Sequence, residues 1–256
     1  MARLRKTARR EQILLELQHH PHVRTSELAT RFGVSTETVR RDVEALSQEG
    51  LIRRAYGGAS IAPMGAQPPF GERDRARIEE RAMIAARAAE LVRPGEVLMI
   101  DAGSTTHQFA LSLASVARDL TVLTNSVAVA SALAQNETIQ VVICPGDFMA
   151  REVGIYGAET IDFIARYNAN RAFIGASGLT AGGITEVNRL AVGVKRAMLR
   201  QALESYLLVD HSKFDVNLLA TVEPLSALTG LVTNEQPTGP LAKALSDARV
   251  EVHVAG

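Results

Sequence analysis

The sequence predicts an α/β protein in two parts. The first is a small module of helices and a β-hairpin over residues 1–60. The second is a larger, mostly parallel sheet with helices over residues 74–256. Three observations predict this. Three short apolar stripes at helical spacing open the chain, a Pro/Gly-rich stretch follows at 61–73, and beyond it short apolar runs alternate with amphipathic ones. At 256 residues and 46 % hydrophobic, the chain can hold a small module and a medium domain with a sizeable core. Trp is absent and aromatics make up 4 %, so that core is aliphatic.

Ile13, Leu14 and Leu17 mark the first helical face, and Leu28, Ala29 and Phe32 the second. Val39, Val43 and Leu46 mark the third at i, i+4 and i+7. Thr25 and Ser35 stand at N-cap positions, Gly33 supplies the turn between the second and third helices, and Gly50 ends the third. LIRRAYGGAS reads as a two-stranded hairpin punctuated by Gly57-Gly58. IAPMGAQPPFGER, with three prolines and two glycines, reads as a linker. One long Ala- and Arg-rich helix, ERDRARIEERAMIAARAAELV, is expected next. Then EVLMID, TVLT, IQVVIC, RAFIG and YLLVD read as strands, and SVAVASALA, AETIDFIARY and RLAVGVKRAMLRQAL as helices.

The formal net charge of zero conceals an asymmetry. Residues 1–60 hold 11 Lys/Arg against 7 Asp/Glu, and the remainder 17 against 21. A basic end on an acidic chain is either a solvated tail or the face for a polyanion. No apolar run reaches the roughly 18 residues of a membrane span, and no signal-peptide core follows MARLRKTARR. The lone Cys144 excludes an intramolecular disulfide framework and a Cys-rich zinc site. The expected setting is cytoplasmic, with no membrane partner, metal or cofactor.

The segment SELATRFGVSTETVRRDVEALSQEG carries the sharper signal. If Val39, Val43 and Leu46 pack inward, rotation by about 100° per residue turns Glu37, Thr38, Arg40, Arg41 and Glu44 outward. The N-terminal half of such a helix is the part that enters a major groove. Arg40 and Arg41 suit phosphates or guanine edges, Thr38 a phosphate or thymine methyl, and Glu37 cytosine N4. Arg53 and Arg54 would lie on a β wing beside the groove. With Thr25, Ser35 and Thr36, these form the candidate interface to double-stranded DNA. The alternative is a three-helix bundle with a solvated basic face; turn glycine, capped helix, paired arginines and basic hairpin together favour DNA.

The run ELATRFGVSTETVRRDVEALSQEGLIRRAYGGA resembles the N-terminal signature of DeoR/GlpR-type regulators. DAGSTT, LTNS, AFIGASG, VKRAM and DHSKF follow in that family's order and approximate spacing. The resemblance implies a winged helix-turn-helix, usually in a repressor, and a C-terminal sensor for sugar phosphates or related metabolites. A repressor of carbohydrate or polyol genes is expected, released from DNA by the effector through the Pro/Gly linker that ties the wing to the first sensor helix, and the roughly 600–1,000 Å² that one module buries on DNA calls for a dimer or dimer-based tetramer. Tyr56 stands where the family often has His, and Ala191 where it usually has Glu four residues before Lys195.

The second part can also be read from its residues. EVLMIDAGSTTHQFALSL is strand, small-residue loop, helix. Gly103 permits close backbone approach, and Ser104, Thr105 and Thr106 offer hydroxyls and amides at a helix N-terminus. That is either a phosphate cradle or an ordinary capped turn. Three more strand ends support the cradle: Thr124-Asn125-Ser126, Gly175-Ala176-Ser177-Gly178 and Asp210-His211-Ser212-Lys213. Lys213 supplies a cation for a phosphate, and Asp101, Asn125 and Asp210 suit sugar hydroxyls. Lys195 either adds charge or faces solvent. His107 lines the cradle at most, and Cys144 reads as neither ligand nor nucleophile. The domain also resembles ribose-5-phosphate isomerase in its phosphate loop and Asp-x-Ser-Lys element. It lacks the isomerase's acidic catalytic loop, having Gly175, Ser177 and Gly178 there. Glu186, on the Gly-rich TAGGITE run, reads either as a stand-in base or, in preference, as a solvated loop residue; with the acidic loop missing, a regulator is expected over a sugar-phosphate isomerase with an accessory nucleic-acid module.

Overall fold

A computed structural model describes residues 6–20, 22–48, 52–55, 57–61 and 67–256. The chain divides into two compact units, Met1–Pro68 and Pro69–Gly256.

The first unit runs α1 (Lys6–His19), β1 (His22–Arg24), α2 (Thr25–Phe32), α3 (Thr36–Gln48), β2 (Ile52–Ala55) and β3 (Gly58–Ile61). Its antiparallel sheet has the order β1-β3-β2, one strand more than the expected hairpin. The helical stripes behave as their spacing predicts: Ile13, Leu17, Leu28, Phe32, Val39, Val43, Leu46 and Ile52 form one buried cluster. Helix α2 ends in a Schellman motif, with Gly33 left-handed at φ 63° and Val34 N–H donating to Ala29 O at 3.1 Å. At Gly58 a Cβ would lie 2.2 Å from Val23 O, so only glycine lets β1 and β3 pair this closely. The expected helix stop at Gly50 and the variant Tyr56 lie outside the described residues.

The second unit begins with α4 (Phe70–Asp74) and α5 (Ile78–Ala89), then β4 (Val97–Ile100), α6 (Ser104–Val116), β5 (Leu120–Thr124), α7 (Val127–Leu133) and β6 (Ile139–Ile143). It continues through the hairpin β7 (Asp147–Met149) and β8 (Gly154–Tyr156), α8 (Ala158–Ile164), β9 (Ala169–Ile174), β10 (Gly178–Thr180) and β11 (Gly183–Glu186). Last come α9 (Arg189–Gln201), β12 (Ala202–Leu208), β13 (Ala220–Thr221), β14 (Gly230–Thr233), α10 (Gly239–Asp247) and β15 (Glu251–Val254). Seven strands form one parallel sheet in the order β15-β14-β12-β9-β4-β5-β6. Strand side chains alternate between faces. Leu98, Ile100 and Val122 pack with Ile84, Phe109 and Leu133 of α5, α6 and α7. Met99, Leu123 and Ile174 pack with Ile164, Met198 and Leu241 of α8, α9 and α10.

Two expectations are corrected. The long helix over 72–92 is broken into α4 and α5 at Arg77, whose φ is 51°. Arg81 fills the break, its Nη1 donating to the carbonyls of Arg73 and Ala76. Helix α4, placed by sequence in the 61–73 linker, belongs to the second unit. Phe70 is buried, its N–H donates to Arg151 O at 2.9 Å, and Arg73 pairs with Glu152 at 2.7 Å. Residues 62–66 of that linker lie outside the described ones.

Candidate functional site

Helix α3 presents the candidate DNA face. Ser35 caps it, accepting from Thr38 N–H at 3.1 Å, and its hydroxyl meets that of Thr38 at 2.8 Å. Ser35→Ala should therefore destabilise the first unit by about 1 kcal/mol. Denaturant unfolding with a helix probe checks this; an unchanged midpoint would remove the cap. Thr36, Glu37, Arg40 and Arg41 are exposed, and Thr38 and Glu44 half-buried. Glu37 lies between the arginines, 3.3 Å from Arg41 Nε and 3.9 Å from Arg40 Nη1. Such exposed pairs contribute little and yield readily to a phosphate. Arg53 and Arg54 lie on β2, opposite Ser60 and Ala59; their side chains fall outside the description.

Thr25 is not an N-cap. Strand β1 runs directly into α2, and Thr25 uses its N–H and hydroxyl to hold Gly57 O at 2.9 and 3.0 Å. One residue escaped sequence reading: Asp42, on α3, is buried and accepts from Arg9 Nε at 2.5 Å, with Arg10 Nε at 3.4 Å. Part of the basic N-terminus is thus internal to the unit, pinning α1 to α3.

The second site lies at the carboxyl ends of the parallel strands. Helices α6, after β4, and α9, after β9, cover opposite faces, so the crevice between β4 and β9 is a topological switch point. Asp101 bridges that crevice: its Oδ1 accepts from Gly175 N–H at 3.0 Å, and its Oδ2 pairs with Lys195 Nζ. Lys195 also donates to Gly175 O at 2.9 Å and stands 3.7 Å from Glu186 Oε2. Glu186 Oε1 accepts from Ser177 Oγ and from Val187 N–H, the latter at 2.8 Å. Asp101, Glu186 and Lys195 are all buried. Glu186 is therefore no solvated loop residue, and Lys195 does not face solvent. Burial disfavours the lysine's charge, but Asp101 and Glu186 outweigh it and hold Lys195 above the ordinary lysine range.

Several candidate ligand residues are committed to the scaffold. Thr106 is fully buried, its hydroxyl shared between Asp101 O at 2.9 Å and Gly103 O at 3.0 Å. Thr124 Oγ1 donates to Ile100 O at 2.6 Å, and Ser126 Oγ caps α7 by accepting from Val129 N–H. Asn125 accepts from Ala102 N–H at 3.1 Å and donates to Ile155 O at 2.9 Å. Gly178 is a packing residue; a Cβ there would lie 2.1 Å from Val216 O. These residues shape the loops, and their polar groups are not open to sugar hydroxyls.

Others remain open. At the start of α6, beyond Gly103, the hydroxyls of Ser104 and Thr105 make no protein hydrogen bond among the described residues. The first amides of that helix point the same way along its axis. Asp210 accepts from Ser212 N–H at 3.0 Å and Ser212 Oγ at 2.5 Å. Burial raises its pKa, yet Lys213, Ser212, Arg77 and Arg81 hold the carboxyl below the usual range. Lys213 keeps some exposed surface although protein crowds it, and no acceptor lies within hydrogen-bond distance among the described residues. Burial pushes Lys213 below the ordinary lysine range; Asp210 opposes this, while Arg81, Arg73 and Arg77 reinforce it. Cys144 is buried, its thiol pushed up to about 12 by desolvation, which leaves it inert.

The α4–α5 corner is the part of the site that sequence reading missed. Asp74 meets His107 Nδ1 at 2.9 Å, one helical turn from the cradle, and Arg77 Nε stands 3.7 Å from Asp210. Arg73, Arg77 and Arg81 recur every four residues, a signal visible in sequence but hidden inside a run that reads as one exposed helix.

Residues 9–63 match the DeoR-like helix-turn-helix domain and residues 76–235 the DeoR C terminal sensor domain. The chain is 30 % identical over 252 residues to the glycerol-3-phosphate regulon repressor of Escherichia coli, covering 98 % of this chain and 100 % of that one. It is 30 % identical over 237 residues to the HTH-type transcriptional regulator IolR of Bacillus subtilis, covering 92 % and 94 %. Among solved structures it matches ribose 5 phosphate isomerase A from Neisseria gonorrhoeae at a TM-score of 0.41 and 17 % identity, over 56 % of this chain and 55 % of that one. With family models matched along both units, the chain belongs to the DeoR family of helix-turn-helix transcriptional regulators and is not an enzyme.

Proposed function

We propose that this protein is a cytoplasmic repressor of carbohydrate or polyol genes, released from its operator by a phosphorylated sugar or polyol. The first unit is its DNA-binding domain and the second its effector domain. The observation that carries the effector half is a set of donors at the strand ends that find no acceptor among the described residues: the hydroxyls of Ser104 and Thr105, and Lys213. A phosphate dianion suits that set. The E. coli relative, named for a glycerol-3-phosphate regulon, supports a phosphorylated polyol. Thermal unfolding with a panel of phosphorylated sugars and polyols tests this reading, because a ligand of the native state raises apparent stability. If no member of the panel shifts the transition, the effector class is wrong.

On DNA, Arg40 and Arg41 reach base edges or phosphates from α3, with Arg53 and Arg54 on the wing. Arg41→Ala should weaken specific binding by about 1–3 kcal/mol and relax one base position if it reads guanine. If it holds a phosphate, binding weakens on all sequences and the salt slope falls by about one. Gel-shift titrations at two salt concentrations separate the two, and unchanged affinity at both removes Arg41 from the interface. A single module buries only about 600–1,000 Å². A homodimer or dimer-based tetramer reading half-sites about 34–36 Å apart supplies the rest; sedimentation with footprinting checks it.

A further inference from the structure

We propose that Arg77 and His211 form a paired donor that takes one phosphate oxygen of the effector, so that ligand ties the α4–α5 corner to the 211–213 turn. This rests on the reading of the pocket as a phosphate site and adds two residues to it.

Asn234 sets the tautomer of the His211 ring. Its Oδ1 accepts from His211 N–H at 2.9 Å, which fixes the orientation of the amide. Its Nδ2 therefore faces His211 Nδ1, at 2.8 Å. An amide nitrogen only donates, so Nδ1 accepts and the neutral ring carries its hydrogen on Nε2. When the ring is charged, with Glu235 3.6 Å from Nδ1, Nε2 still carries a hydrogen. That Nε2 lies 3.5 Å from Arg77 Nη1, another group that only donates. Two facing donors repel one another until an oxyanion accepts from both.

The surroundings favour the same ligand. The Arg77 side chain is only 16 % exposed, and its Nη1 also donates to Glu80 Oε1 at 3.3 Å. Its left-handed backbone, φ 51°, is uncommon for a side chain of this size; Arg81 holds the corner by bonding Arg73 O and Ala76 O. Asp210 is the carboxylate nearest the turn, and Lys213, Arg77 and Arg81 all act on it. Glu80 and Asp74 offset part of the charge of Arg77 and Arg81, while Lys213, two residues from His211, has no acceptor within hydrogen-bond distance among the described residues.

Calorimetric titration of the full chain with inorganic phosphate, at constant ionic strength, tests the proposal. Arg77→Gly removes the guanidinium while suiting the left-handed backbone, so the variant is expected to fold. It should bind phosphate about 10-fold or more weakly, the loss expected of a charge-assisted bond. His211→Asn should weaken binding in the same direction, whereas His211→Gln, which places an amide N–H near the site of Nε2, should stay within about 3-fold of wild type. If Arg77→Gly and His211→Asn bind like wild type while Lys213→Ala loses phosphate, the donor pair is refuted and the pocket stands. Equal loss in the Asn and Gln variants also refutes it. A wild-type protein that binds no phosphate refutes pair and pocket together.

Discussion

Lys195→Met is expected to destabilise the sensor unit by about 3–5 kcal/mol, because it leaves the buried carboxylates of Asp101 and Glu186 without their cation. That is a large share of the stability of an ordinary domain. The loss belongs to the removal of one partner; neutralising the carboxylates as well should recover part of it. Asp101→Asn keeps an Oδ1 acceptor for Gly175 N–H, so Asp101→Asn/Glu186→Gln/Lys195→Met should be more stable than Lys195→Met alone. The pH dependence has a definite sign. Lys195 titrates above its ordinary value in the folded state, so its contribution is complete below the unfolded pKa of about 10.4 and is lost as pH rises through the folded value. Denaturant unfolding of the sensor transition, repeated from neutral to alkaline pH, measures both effects. A loss below about 1 kcal/mol would mean that water reaches the cluster.

The second large effect is expected in the coupling of ligand to DNA. Effector should weaken operator binding by about 5–150-fold, and operator should weaken effector binding by the same factor. Lys213→Ala should abolish the response to effector, since it removes the ammonium that has no hydrogen-bond acceptor among the described residues. Operator affinity with and without effector, in wild type and variant, is the measurement. A variant that binds no DNA at all would make Lys213 structural. An effector that tightens binding would make the metabolite a corepressor.

Much of this architecture is legible in the sequence where structure is local. Gly33 and Ser35 lie two residues apart and do what their chemistry predicts, and the apolar runs ending at Ile100, Thr124, Ile174 and Leu208 became central strands. Strand β1, at three residues, is too short to carry a period, and β14 and β15 lack the bounded apolar runs that identified the others. The break at Arg77 was invisible because Arg, Ala and Glu all favour helix. The sharpest failures concern charge. Lys195 and Glu186 look solvent-facing until residues 94 positions apart meet, and no window along the chain contains Asp101 and Lys195 together. For the same reason Thr106 and Asn125 look like ligand groups until their carbonyl partners are in view.

The strand order also sets a timetable for synthesis. Of that sheet ribosomes deliver β4, β5 and β6 first, three adjacent strands that pair in order, so three of its seven strands and the carboxylate of Asp101 exist early. The partners of that carboxylate arrive 74 and 94 residues later, and the ammonium at position 213 later still. The helix-turn-helix, by contrast, is fully translated by residue 61. A nonsense codon before position 195 would therefore yield a complete helix-turn-helix sequence beside a sensor unit in which Asp101 lacks its ammonium partner.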